Sequence, residues 1–219
     1  MSRPIPMKAE VIHTGNENAQ RRAIEVLKAG GLIAFPTDTV YGVAALPWNV
    51  EAVARLYEAK RRPPDRPIPL LLSDASQLSR VATLPSQFRR LSARFWPGGL
   101  TLVLLKTEIV PDTISASPTV AVRVPDPPFT RDLIREVGGV LAATSANISG
   151  QPSPITAKEV EEQLGDWIDL ILDGGPCRGG VPSSILDCTI SPPLLLRHGA
   201  VPEAALCAAI GPIKIPEKE

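Results

Sequence analysis

The chain has 219 residues, 44% of them hydrophobic and 21% charged, with Lys+Arg and Asp+Glu both at 23 for a formal net charge of zero. That length can bury a substantial core, and the charge balance excludes bulk attraction to nucleic acid, which shows as a basic excess. Aromatic residues, at 4%, are too few for a base-stacking surface. Cys177, Cys188, Cys207, His13 and His198 lack metal-ligand spacing, so no zinc site is expected. Sparse, odd cysteines suit a reducing compartment, and a cytoplasmic location is expected. No apolar run approaches the ~18–20 residues that a membrane-spanning helix needs, and Met1-Ser-Arg-Pro-Ile-Pro-Met-Lys8 has no signal-peptide apolar region. The 24 prolines are scattered and read as rigid turns between many short elements.

In chain order, an irregular start holds a short strand over Lys8–His13, and a helix follows over Ala19–Ala29, stopped by Gly30-Gly31. Leu32-Ile-Ala-Phe35 reads as a buried strand that gives way at Pro36 to Thr37-Asp-Thr-Val-Tyr-Gly42. An apolar strand running into hydroxyls, a carboxylate and a phenol is either a polar turn or a binding site, since open α/β sheets bind ligands at strand ends. Asn49 caps a helix over Val50–Lys60 whose buried stripe is Ala52, Val53, Leu56 and Ala59. Ile68–Leu72 is apolar but interrupted by Pro69, which predicts an edge strand.

A short helix over Ala75–Val81 and a longer one over Ser86–Phe95 precede the tight turn Trp96-Pro-Gly-Gly99 and a strand over Leu100–Leu105. Thr119–Val124 alternates, so this strand aims Arg123 at one face. A helix over Pro128–Val137 leads to the strand Val140–Thr144, which runs straight into Ser145-Ala-Asn147. Thr156-Ala-Lys-Glu159 is a capping box opening a helix to Leu164. Strands are expected at Leu170–Asp173, Ser184–Cys188 and Leu194–Arg197, with a glycine-rich connection over 174–182, a last helix over Pro202–Ile210 and a frayed end at Glu217–Glu219. Strands and helices intermix without a strict βαβ repeat. The fold class is therefore α/β, a twisted mixed sheet with flanking helices, in a single domain over 1–219 with its core at about 15–211.

Two stretches carry the chemistry. Lys60, Arg61, Arg62 and Arg66 are held in a rigid turn by Pro63, Pro64 and Pro67. A helix dipole accounts for Lys60, but the cluster suits a polyanion such as a triphosphate, whose oxygens Arg forks match. Ser145 and Asn147, with Ser149, Gly150 and Ser153 beyond, offer hydroxyls and an amide at a strand end, and equally a cap or turn. Two histidines support a Ser-His-Asp triad poorly. The glycines of 174–180 form neither a Walker A nor a G-x-G-x-x-G loop.

Taken together, these stretches resemble the YrdC/Sua5 family, the threonylcarbamoyl-AMP synthases of tRNA N6-threonylcarbamoyladenosine (t6A) synthesis. The matches are Phe35–Gly42, Lys60-Arg-Arg62, Trp96-Pro-Gly98, Thr119–Arg123, Ser145-Ala-Asn147, Val181–Ser184 and Leu195-Leu-Arg197, in the family's order from about Gly30 to Arg197. The resemblance implies a YrdC-like sheet with a large concave, positively lined pocket. Threonine would be held by Thr39, Arg123, Ala143 and Ser183, and ATP by Lys60, Arg62, Arg66, Thr119, Ser145, Asn147, Ser153 and Arg197, with Lys60 and Arg62 catalytic. Two positions depart from the pattern: Arg66 stands where many members carry Asn, and Leu71 where some carry His. The implied reaction joins L-threonine, bicarbonate (or CO2) and ATP into threonylcarbamoyl-AMP and pyrophosphate.

By the same resemblance, Mg2+ arrives with ATP, since no all-protein carboxylate cage is visible. A tRNA-threonylcarbamoyl transferase would accept the product, with weak tRNA contact at most. The chain stops soon after the matched region, which implies the short, single-domain type. Two other readings stay open: a related carbamoyl-adenylate activity, as in the carbamoyltransferases of hydrogenase maturation, and a non-catalytic RNA-binding module.

Overall fold

Short apolar runs punctuated by Pro and Gly become the strands of one mixed sheet. The structure, a computed structural model, describes residues 8–216; the irregular start before Lys8 and the frayed end expected at Glu217–Glu219 lie outside them. Among the described residues, eleven strands take part. They are β1 (Glu10–His13), β2 (Ile33–Phe35), β3 (Gly42–Ala45), β4 (Leu70–Leu72), β5 (Ala82–Thr83), β6 (Leu100–Lys106), β7 (Thr119–Arg123), β8 (Val140–Ser145), β9 (Leu170–Asp173), β10 (Ser184–Asp187) and β11 (Leu194–Arg197). Their spatial order is β1-β9-β2-β3-β8-β4-β7-β6-β10-β11, with β5 paired to β6 off that path. Parallel pairs (β1 with β9, β9 with β2, β4 with β7, β6 with β10) alternate with antiparallel ones, so the sheet is mixed throughout.

Period-2 alternation splits the core between the two faces. On one face, Ile33, Phe35, Ala44, Leu141 and Ala143 pack against α1 (Ala19–Lys28) and α5 (Pro128–Glu136). On the other, Val43, Leu70, Leu102, Val122 and Leu186 belong to a larger core that includes α2 (Val50–Ala59), α4 (Arg89–Phe95), α6 (Ala157–Leu164) and α7 (Glu203–Ile210). The short α3 (Leu78–Val81) adds Leu78 and Val81 to that larger core. Helices α1 and α5 rest on β9, β2, β8 and β4. Beyond β4 the same face carries Ala121, Val103, Ile185 and Leu196, which line a cavity instead of a helix.

Both expected caps form: the Asn49 side chain accepts from Ala52 N–H, and Thr156 with Glu159 makes the full capping box. Three expectations need correction. Strand β4 is interior, not an edge, lying between β7 (Leu71 opposite Arg123) and β8 (Leu71 opposite Leu141). Pro69 is tolerated because it stands just before the ladder, where its carbonyl accepts from Ala143 N–H at 2.9 Å and its missing donor is not required. Strand β3 was not expected, because Gly42-Val-Ala-Ala45 follows the polar turn without a break; it returns antiparallel on β2 and is wholly buried. Residues 75–77 and 86–88 are 3-10 turns preceding α3 and α4, so those two helices are shorter than the periodicity predicted.

After β11 the chain doubles back beside the start of β10, and Gly199 is the closest approach. A Cβ there would stand 2.3 Å from the Pro182 carbonyl oxygen and 2.5 Å from Ser184 N. Backbone cannot yield as a side-chain tip can. Gly199→Ala should therefore destabilise the fold by about 1–3 kcal/mol, read as a lower urea midpoint at unchanged slope.

Candidate active site

The uncovered half of the sheet holds a cavity of about 320 Å³ whose walls include Thr37 and Thr39 of the polar turn, Leu71, Ala143, Ser145 and Ser183. Three guanidiniums, those of Arg62, Arg123 and Arg197, also face it, and none of its lining residues is a carboxylate. A cavity walled by cations with no lining carboxylate fits a polyanion.

At its closed end lies Arg123, with a side chain only 8% exposed. Its Nε donates to Gly98 O at 2.9 Å, Nη1 to Thr39 Oγ1 at 2.9 Å and Nη2 to Asp38 Oδ1 at 2.6 Å. Burial pushes its pKa down, and the Asp38 carboxylate pulls the other way. A guanidinium has five N–H donors, so two are left over, one on each terminal nitrogen. Thr37 donates its hydroxyl to Val40 O at 2.7 Å. Its oxygen must then accept in the 3.0 Å contact with Thr39. Thr39 Oγ1 thus donates to Thr37 and accepts from Arg123, which leaves one acceptor site.

A parallel module sits on the other wall. Arg197 Nε donates to Ser183 O at 2.9 Å and Nη2 to Ser183 Oγ at 3.1 Å, and Ser183 Oγ pairs with Thr101 Oγ1 at 2.8 Å. Burial, and then Arg123 nearby, lower the Arg197 pKa. No carboxylate lies within ion-pair distance of Arg197 or Arg62 among the described residues.

Arg62 is aimed by the end of α2. Arg61 N–H bonds Glu58 O and Arg62 N–H bonds Tyr57 O, both at 2.9 Å, the double closure that usually places glycine in the left-handed position. Here that position is Arg61, with φ 49°. The turn leaves Arg61 exposed and brings Arg62 to the cavity, where Nε and Nη2 hold the carbonyls of Arg66 and Pro67 at 3.0 and 2.8 Å.

Of the residues expected in the site, Thr39, Arg62, Arg123, Ala143, Ser145, Ser183 and Arg197 line the cavity together. Lys60, Arg66, Thr119, Asn147 and Ser153 do not. Lys60 is buried, and its ammonium is clasped by the carbonyl oxygens of Ser145 and Asn147. Its own carbonyl accepts Ser149 N–H at 2.8 Å. Lys60 therefore ties the loop after β8 to the end of α2. Asn147 is turned inward as well: its amide donates to Ile148 O and Gln151 O at 2.7 and 2.8 Å, and its oxygen accepts from Ser145. Arg66 is exposed and contributes its carbonyl, to Arg62 and to the Tyr57 hydroxyl. Thr119 shares its strand face with Ala121 and Arg123 but sits beyond the lining, bonded to Ser117 Oγ at 3.0 Å. Leu71, the departure from the family pattern, lines the wall beside Arg123.

Sequence reasoning marked the turn Thr37–Gly42 as a possible site but gave Thr37, Asp38 and Tyr41 no individual role, and it missed Thr101. Thr101 could have been found, as the one hydroxyl inside the apolar run Leu100–Leu105. Tyr41 donates its phenol to Gly175 O at 2.8 Å and accepts Gly174 N–H at 3.2 Å, anchoring the glycine-rich connection under the cavity; burial pushes its pKa up.

Residues 25–199 match the sequence profile of Sua5/YciO/YrdC proteins, described as "Telomere recombination". The chain belongs to the Sua5/YciO/YrdC family. Within it, the chain is 42% identical over 203 residues to threonylcarbamoyl-AMP synthase of Bacillus subtilis (strain 168), covering 91% of this chain and 59% of the relative. It is 44% identical over 197 residues to threonylcarbamoyl-AMP synthase of Pyrococcus abyssi (strain GE5 / Orsay), covering 89% and 58%. The fold superposes on the crystal structure of P. abyssi Sua5 complexed with L-threonine with TM-score 0.90 and 41% identity, over 96% of this chain and 63% of that one. The chain thus spans less than two thirds of the length of these longer family members.

The buried Lys60 makes a pH prediction. Burial, and then the charge of Arg62, lower its pKa from 10.5 to about 7. Between those values the unfolded chain keeps the proton and the folded chain has released it, so stability rises with pH across this window and is lowest below it. Lys60→Met should remove that rise, at most about 1.4 kcal/mol per pH unit. Urea denaturation of both proteins at about pH 7 and about pH 9 measures it.

Proposed function

We propose that this chain is a nucleotidyltransferase that makes threonylcarbamoyl-AMP and pyrophosphate from L-threonine, bicarbonate (or CO2) and ATP, for t6A formation in tRNA. The observation that carries this reading is the cavity itself. Two uncompensated guanidiniums, Arg62 and Arg197, flank a compensated one, Arg123, that still has two free donors on its terminal nitrogens. The names of the relatives support it, as does the threonine complex of P. abyssi Sua5.

On this reading Arg123 takes the threonine carboxylate, and the spare acceptor site of Thr39 takes an N–H of the amine. Ser183 and Ala143 close the wall around the amino acid. The held amine adds to CO2, loses a proton and becomes a carbamate. A carbamate oxygen then attacks the α-phosphorus as the bond to pyrophosphate breaks. Such a transfer is governed by positioning and by neutralising phosphate charge, which Arg62 and Arg197 supply.

Lys60, placed behind the wall, serves by holding the Ser145–Asn147 loop against the nucleotide; Thr119, Ser153 and Arg66 would meet ATP only from the rim. Mg2+ enters as part of the nucleotide substrate. Phosphate oxygens and water would be its main ligands; among the described residues no group of three or more His, Cys, Asp or Glu could hold a metal. The product would pass to a tRNA-threonylcarbamoyl transferase, and zero net charge keeps direct tRNA contact weak. A single domain and a cytoplasmic location complete the proposal; the three cysteines are unpaired, and no helix among the described residues is long and apolar enough to cross a membrane.

The test is pyrophosphate release from ATP with and without threonine and bicarbonate, with mass detection of the adenylate. Release that needs all three substrates supports the reading. Salt-sensitive RNA binding without turnover would replace it. Arg197→Ala should lower kcat/KM for ATP about 100-fold at an unchanged melting temperature.

A further inference from the structure

Asp38 does not line the cavity, yet three loops meet on it. Its Oδ1 accepts from Arg123 Nη2 at 2.6 Å and from Asp126 N–H at 3.0 Å, which ties the polar turn to the segment before α5. Its backbone oxygen accepts Gly179 N–H at 3.1 Å, from the glycine-rich connection. That approach is close enough to require glycine: a Cβ on Gly179 would stand 2.5 Å from the Asp38 carbonyl oxygen.

We propose that Asp38 is a positioning residue, whose carboxylate fixes the plane of the Arg123 guanidinium so that its two free donors face the carboxylate of the amino-acid substrate. This rests on the function proposed above and assigns the orienting role within it. The geometry has three legs. Gly98 O, Thr39 Oγ1 and Asp38 Oδ1 hold three different nitrogens of one planar group, so they set its tilt as well as its location. Asp38 is the only charged member of the three. The pair is largely out of water, with side-chain exposures of 8% and 17%, where an uncompensated cation is costly and a charge-assisted bond is strong. Two neutral acceptors without the carboxylate would leave the Arg123 Nη2 edge without its charged anchor.

This arrangement predicts a split between the two substrates. Asp38→Asn keeps the shape of the residue but removes the charge and presents the Arg123 edge with an amide. Measured by calorimetry with L-threonine and with ATP separately, threonine affinity should fall about tenfold or more. ATP affinity should stay within about twofold of wild type or tighten, because the cavity has become more positive. In turnover, KM for threonine should rise far more than kcat falls. Asp38→Glu, which keeps the charge on a longer arm, should lie between wild type and Asp38→Asn.

Unchanged threonine affinity in Asp38→Asn overturns the proposal. So does parallel loss of threonine and ATP binding with a lowered melting temperature, which is the signature of a merely structural brace. Should Asp38→Asn fail to fold, Asp38→Glu carries the test: weaker threonine at unchanged ATP supports the assignment, and wild-type threonine affinity overturns it. A wild-type protein that binds ATP but no threonine removes the amino-acid site altogether, and with it both this assignment and the reading beneath it.

Discussion

A guanidinium held almost entirely out of water keeps its charge, so the fold must surround it with acceptors or lose stability, and Arg123 is built around that constraint. Its three partners come from two separate turns: Gly98 from the turn before β6, and Thr39 and Asp38 from the turn between β2 and β3. Each of those turns has to be rigid for the acceptor to stay in place. Thr37 locks the second from inside by bonding Val40 O and Thr39, and Thr130 at the start of α5 holds Pro36 O at 2.9 Å from outside. Prolines in these stretches fix φ and stiffen the turns, while Gly98 (φ 153°) supplies a backbone conformation that side-chain-bearing residues rarely adopt.

The mixed strand order creates the space this cation faces. Helices α1 and α5 cover one half of a face, and strands β7, β6, β10 and β11 extend past them. Small side chains line the cavity at Ala121 and Ala143, and Leu71 supplies an apolar wall next to Arg123. The position of β4 therefore matters more than its three residues suggest. As an interior strand it delivers Leu71 between Arg123 and Leu141; at an edge it would have delivered nothing to the site.

The legible parts of the sequence were those where a local pattern has one physical meaning. Alternation in Thr119–Val124 put Arg123 on a face, and the runs into polar groups at Phe35 and Thr144 marked two strand ends that lie side by side in the sheet, Gly42 of β3 pairing with Phe35 of β2 on one side and Ser145 of β8 on the other. The illegible parts depended on contacts far apart in the chain. Nothing near Lys60 says that its ammonium will be clasped by carbonyls 85 and 87 residues away. Its neighbours are cations, and a run of cations reads as one anion site. In the fold the run divides three ways: Lys60 turns inward, Arg61 takes the left-handed position and faces solvent, and Arg62 alone reaches the cavity. Asp38 was hidden for the opposite reason, as an ordinary turn former whose partner lies 85 residues on.

That division also explains how a chain of zero net charge carries a strongly cationic site. Many of the remaining charges answer one another on the surface, as in Arg21 with Glu25, Arg22 with Glu10 and Arg55 with Asp169. Exposed pairs of this kind contribute little to stability. Their consequence is electrostatic at longer range: paired surface charge is seen from outside as nearly neutral, while half-buried Arg62 and exposed Arg197 stay unpaired at the cavity. The field is thereby concentrated in the cavity rather than spread over the protein. A compact polyanion inside the cavity would meet Arg62, Arg123 and Arg197 together with no lining carboxylate, whereas an extended one would meet cations interspersed with carboxylates. Zero net charge and a cationic cavity are therefore compatible, because the lining of the cavity contains arginines and no carboxylate while the carboxylates lie elsewhere.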